Sequence, residues 1–129
     1  MWKVQWSADG QREISSLSEL DSLLDELHAK YQGDRAIIVT IEAPGDGGTL
    51  AIGVGRELSV LNYVPASGNP PYLSSVGDLT GDETIIFHFM GQWSEFPIRH
   101  AISFESAREA VRYFFKTQRL PDSIIWEKD

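Results

Sequence analysis

The chain has 129 residues, 42% of them hydrophobic and 23% charged, with four tryptophans and no cysteine, a composition that excludes disulfides, thiolate metal sites and a disordered tail. Nineteen acids face eleven bases for a net charge of −8, a field that opposes direct binding to nucleic acid or to an anionic membrane. At this length folding buries roughly 65–70% of the extended chain's surface, enough for one core without covalent staples, and the reading is a single domain over residues 1–129.

In chain order, Met1–Trp6 reads as a short strand with Trp2, Val4 and Trp6 on one face. Ser16-Leu17-Ser18-Glu19 has the pattern of a capping box, in which Ser16 and Glu19 satisfy each other's free amides. Leu17, Leu20, Leu24, Leu27 and Tyr31 follow at helical spacing, so a helix is expected over about 17–32, stopped by Gly33. Arg35–Ala43 is rich in β-branched residues and ends at a strong turn signal, Pro44 to Gly48. Thr49–Val54 and Leu58–Val64 continue as strands of an antiparallel meander. Pro65–Gly81, with three prolines and three glycines, reads as a long loop.

Glu83–Met90 alternates as a strand, and Ile98–Ile102 is expected to be one more short piece of sheet. Ser103 is a good N-cap for a second helix with Phe104, Ala107, Ala110, Val111, Phe114 and Phe115 on its buried face. Leu120-Pro121 ends it, and Ser123–Trp126 can close the sheet. The expected class is therefore α+β, a mainly antiparallel sheet of about five to seven strands with two helices packed on it. Alternating βαβ units are missing, which argues against a nucleotide-binding doubly wound fold.

Charge is uneven along this plan. Residues 36–98 carry seven acids (Glu42, Asp46, Glu57, Asp78, Asp82, Glu83 and Glu95) against Arg56 alone, whereas residues 99–119 carry five bases and two acids. Catalytic chemistry finds little support. His28, His88 and His100 show no metal-binding spacing, no Gly-x-Ser-x-Gly elbow occurs, and the glycine clusters do not lead into helices. No catalytic residue, metal or cofactor is expected. Tyr63, Tyr72, Trp93 and Phe96 lie among the loops of the acidic middle, and aromatic anchors ringed by charge are what protein-binding hot spots contain. The residues read as an acidic binding module. The competing class is a small enzyme or ligand-binding domain using a cleft near His88 and Glu83.

The C-terminal half carries a sharper pattern. Phe89-Met90-Gly91-Gln92-Trp93-Ser94-Glu95-Phe96-Pro97, then Ile102-Ser103 opening a helix with Ala107-Arg108-Glu109-Ala110 and Phe114-Phe115, then Arg119-Leu120-Pro121 and Ile125-Trp126, resembles the first Imm family of polymorphic toxin systems. That family includes the immunity protein of a double-stranded-DNA cytosine deaminase toxin. The resemblance implies a cytoplasmic immunity protein that binds a cognate toxin, expected to be a nucleic-acid deaminase, and covers its basic groove without turnover. The toxin-facing surface is then expected to hold Asp46, Tyr72, Asp78, Asp82, Glu83, Trp93 and Glu95. The family's motif residues are expected to be structural, with Phe114, Phe115 and Trp126 packing the last helix on the sheet and Pro121 setting the turn. The opening Met1–Trp6 lacks the basic-then-apolar build of a secretion signal, in keeping with the cytoplasmic expectation.

Overall fold

The computed structural model describes residues 1–129. Strands β1 (Trp2–Gln5) and β2 (Gln11–Ile14) precede helix α1 (Leu17–Lys30). Next come β3 (Ile37–Glu42), β4 (Thr49–Val54), β5 (Leu58–Ser59), β6 (Leu61–Val64) and β7 (Leu73–Val76). A hairpin of β8 (Thr84–Phe89) and β9 (Gln92–Pro97) leads to β10 (Ile102–Ser103), helix α2 (Phe104–Thr117) and β11 (Ile125–Lys128). The protein is α+β as the sequence indicated. Its main sheet runs β11-β7-β6-β4-β3-β1-β2, antiparallel at every pair, while β8 joins β3 through one parallel bridge, Ile37 to His88. β5 and β10 form a separate two-stranded pair.

Alternation along the central strands decides the layers. Val39 and Ile41 of β3 and Leu50, Ile52 and Val54 of β4 point to one face, where they meet both helices. Leu20, Leu24 and Leu27 of α1 and Ala107, Val111 and Phe114 of α2 complete this core, all of them buried. Trp2 stands edge-on to Phe114 at 5.4 Å and stacks at a tilt on Phe115 at 4.7 Å, so the first strand and last helix share one aromatic cluster. The opposite face is covered by the hairpin, through Ile38, Val60, Ile85, Phe87, Ile98 and Ala101.

Several local expectations shift. α1 stops at Lys30, and its cap is one residue broader than a capping box: the Ser16 hydroxyl accepts the Glu19 N–H at 3.1 Å, but the Glu19 carboxylate accepts the Ser15 N–H at 3.1 Å and both serine hydroxyls. These donors, Ser15 foremost, hold the Glu19 carboxyl below its ordinary value. The segment read as a long loop contains β7, whose Ser74 and Ser75 are buried. Ser75 is fully satisfied there, donating to the His100 carbonyl at 2.8 Å and accepting the Leu61 N–H at 3.0 Å. Ile98–His100 is a 3-10 turn, only Ile102–Ser103 pairs as strand, and Trp6 falls outside β1. The strand expected over Leu58–Val64 is split at Val60, and the closing strand lies two residues later than expected.

Arg108 and Arg112 of α2 reach across to α1. Arg108 Nη2 donates to the Asp21 carbonyl at 2.9 Å, Arg108 Nη1 pairs with Asp25, and Arg112 Nε donates to Asp21 Oδ1 at 3.0 Å. The Arg108 partner holds the Asp25 carboxyl below its ordinary value. Beside this network His28 stacks on Phe104 at 3.9 Å, and its Nδ1 accepts the Gly55 N–H at 3.0 Å. Gly55 itself has φ of +111°, and a methyl there would collide with the Tyr31 carbonyl, so α1 and the end of β4 are fastened at close range.

Burial, and then the nearby Arg108 charge, lower the His28 pKa from its ordinary 6.5. Above that value neither folded nor unfolded chain is protonated, and the stabilisation is complete. As pH falls through about 6.5 the unfolded chain takes up a proton that the folded ring resists, so stability drops toward the lowered folded value. His28→Asn keeps an acceptor near the Gly55 N–H and cannot titrate. Urea unfolding at pH 7 and pH 5 should therefore show the wild type losing more stability than the variant; equal losses would contradict this account.

Candidate functional site

The β8–β9 hairpin is where fold and exposed chemistry meet. Its register pairs Ile85 with Phe96, Phe87 with Ser94 and Phe89 with Gln92 on one face, and Ile86 with Glu95 and His88 with Trp93 on the other. The first face lies against the sheet. Phe87 is fully buried, and its ring occupies the space over Gly53 where a methyl group would come within 2.5 Å of it. Phe96 meets Phe87 edge-on at 6.0 Å. Arg56 Nε donates to the Ile86 carbonyl at 2.9 Å while its guanidinium lies 5.9 Å from the Phe87 ring. The His88 N–H donates to the Ala36 carbonyl at 2.8 Å. The hairpin's body is thus held by packing and by two backbone anchors.

Its outer face and tip are open. Trp93 is 66% exposed, Phe89 44% and Met90 38%. Trp93 shares a shallow hollow with Asp34, Arg56 and Ile86, and its ring stands edge-on to His88 at 6.0 Å. Thr84 Oγ1 donates to Glu95 at 3.4 Å, and Asp82 and Glu83 lie exposed where the preceding loop enters β8. That loop begins at Gly77, whose N–H donates to the Arg99 carbonyl at 2.8 Å, and Asp78 follows it, exposed.

The seven residues expected to face a partner fall into two groups. Asp78, Asp82, Glu83, Trp93 and Glu95 belong to the hairpin and the loop that feeds it. Asp46 lies in the β3–β4 turn, beside the Thr49 to Val64 pairing, at the opposite end of the sheet from the hairpin's base. Tyr72 is at that same far end, its hydroxyl donating to the Gly68 carbonyl at 2.7 Å. Tyr63 is a core aromatic: it packs edge-on to Phe114 at 6.1 Å and donates to the Gly47 carbonyl at 3.0 Å.

The pair His88 and Glu83 is not brought together. They sit five positions apart on or beside one extended strand, which separates them by roughly 16 Å of backbone. A trough of about 180 Å³ does open between the hairpin and the sheet, walled by Thr40, Ala51, Asn62, Val64, Phe89 and Phe96, and none of its lining side chains titrates.

Residues 8–128 match the family model described as immunity protein Imm1. The chain belongs to the Imm1 family. A search of curated proteins finds no match. An Imm1 protein is an immunity protein whose partner is a toxin, and the motif residues of the last helix and its closing turn prove structural. Phe114 is fully buried, Phe115 packs on the core, and the Trp126 indole N–H donates to the Pro121 carbonyl at 3.2 Å, closing the turn after α2. A further pair belongs to the same scaffold: the half-exposed Glu127 carboxylate accepts from the buried His100 ring at 2.7 Å and from Arg99 at 3.0 Å, and the His100 bond first, then Arg99, lowers its pKa. No helix of this Imm1 protein is long and apolar enough to cross a membrane.

Sequence reasoning missed β9 altogether, and with it the exposure of Phe89 and Met90. The available signal was Met90-Gly91 between two segments of alternating character, a two-residue hairpin connection. Because Phe87 needs the empty space at Gly53, Gly53→Ala should destabilise the Imm1 protein by about 1–3 kcal/mol, as overpacked cores do. Urea unfolding of the variant checks this, and unchanged stability would show that the hairpin does not press on the sheet.

Proposed function

We propose that this Imm1 protein works in the cytoplasm by binding a cognate toxin that is a nucleic-acid deaminase, acting on DNA cytosine, and by covering its basic groove without any turnover of its own. The observation that carries this reading is an exposed Trp93 with Glu95 two residues along the same face of β9, on a hairpin whose base and feeding loop expose Asp78, Asp82 and Glu83, within a segment that holds a single base. An enzyme acting on DNA must present Lys and Arg to the phosphates. An acidic surface of matching size is drawn to that groove, associates quickly, and keeps the nucleic acid out. Charge of this kind sets mainly the rate of encounter, and buried aromatic anchors set the lifetime.

The contact surface in this reading is the hairpin with its feeding loop. Asp46, at the end of the sheet opposite the hairpin's base, adds to the general acidic field, and the uncharged Tyr72 precedes β7, three strands from β3. Combined reversal of Asp78, Asp82 and Glu83 to lysine changes only exposed side chains and leaves the core intact. Association with the toxin domain encoded beside this gene should slow at least about tenfold at low ionic strength, with a smaller deficit at high salt, and cells expressing the toxin should lose protection. An unchanged association rate together with full protection would place the contact elsewhere.

A further inference from the structure

The tip of the β8–β9 hairpin combines two unusual features. Met90 and Gly91 form its two-residue turn with φ of +51° and +83°. Positive φ at both central positions is the geometry of a type I′ turn, which prefers Asn-Gly because a long side chain is strained in the left-handed region. Methionine therefore occupies a position where the backbone disfavours it. The second feature is exposure. Of the seven exposed large hydrophobic residues in the chain, Phe89, Met90 and Trp93 fall within five consecutive positions. Strain of this kind persists where the side chain has a use that stability does not explain. Clustered exposed apolar groups of this size mark interaction sites.

We propose that this tip is the energetic anchor of the complex, with Trp93 as its central hot spot, Met90 beside it at the turn and Phe89 on the hairpin's other face, inserted into the basic substrate cleft of the toxin domain. This rests on the function proposed above and adds the element that holds the partner. The argument for that occupant is charge complementarity. Asp34 lines the same hollow as Trp93, Glu95 follows two residues later on the same face of β9, and Asp82 and Glu83 stand at the hairpin's base. Arg56, the base in that hollow, is already engaged with the Ile86 carbonyl and the Phe87 ring. An apolar prong flanked by Asp34 and Glu95 fits a cleft with basic walls and a floor built for flat, stacked bases. The hairpin's fastening at Phe87, Ile86 and His88 holds the tip in place before binding, so little ordering entropy is lost on association.

The test is titration calorimetry of wild type and variants against the purified toxin domain encoded beside this gene, with melting temperatures recorded for each. Trp93→Ala should weaken binding about 100-fold or more while leaving the melting temperature within a degree or two, since the indole is mostly solvent-exposed. Met90→Asn should raise the melting temperature by about 3–5 °C by relieving the turn, and yet weaken binding about tenfold. Opposite signs in stability and affinity are the signature of a side chain kept for its partner. Tyr113→Ala, exposed on α2 across the sheet from the hairpin, should bind as wild type. Failure of the wild type to bind the toxin domain would overturn the proposed function itself. Tight wild-type binding that Trp93→Ala and Met90→Asn leave unchanged would overturn the anchor alone. A wild-type dimer dissolved by Trp93→Ala, with toxin binding intact, would assign the tip to self-association and likewise overturn it.

Discussion

The contact between the Phe87 ring and the bare backbone of Gly53 governs how this protein presents its surface. A sheet covered by helices on one side leaves its other face to be dealt with, and here Ile38, Val60 and Ala51 would otherwise meet water. The missing side chain at Gly53 provides a flat seat in the middle of that face, and Phe87 fills it from above. Everything on the hairpin follows from this seat. Because strand side chains alternate, burying Ile85, Phe87 and Phe96 commits Ile86, Glu95 and Trp93 to the outside. One buried ring thereby sets the direction of an exposed indole and a carboxylate.

The helical side of the sheet does a different job. Leucines from α1 and aromatics from α2 interlock with β3 and β4, and the arginines of α2 bind the acids of α1 across the interface. The run from Phe89 to Pro97 that also makes the family recognisable forms the hairpin, but Phe114, Phe115, Pro121 and Trp126 belong to this side or to its closing turn. They preserve a scaffold. The hairpin on the other side of the sheet can then carry the exposed surface without disturbing that core.

Much of the architecture was legible in the sequence because local chemistry and tertiary structure agree there. Ser16 and Ser103 cap their helices, the apolar stripes of both helices face the sheet, and β3, β4 and β8 alternate as their residues imply. The elements that were hidden owe their existence to partners. β7 carries buried serines whose hydroxyls are satisfied only by Leu61 and His100 from other segments. β2 exposes three of its four residues and is held by its pairing to β1. β9, with proline, glutamate and tryptophan in six residues, turns only Phe96 among Gln92 and Ser94 to the sheet and is held there by its pairing to β8. The candidate surface was legible in its charge and in Trp93, but its division was not, because it depends on the sheet, which sets Tyr72 three strands from β3 and Asp46 at the end opposite the hairpin's base.

In the function proposed here an acidic, aromatic-tipped surface on a rigid scaffold inhibits by staying bound, and that makes stoichiometry the decisive quantity. A protein that occludes its target is used up one copy per target, whereas a protein that modifies or destroys it is not. The most direct measurement is residual toxin activity as this protein is added in increasing molar ratio to a fixed amount of toxin domain. The account predicts a linear fall that reaches zero at one equivalent and returns when the complex is dissociated. Complete inactivation by a small fraction of an equivalent, or toxin activity untouched at excess, would contradict it.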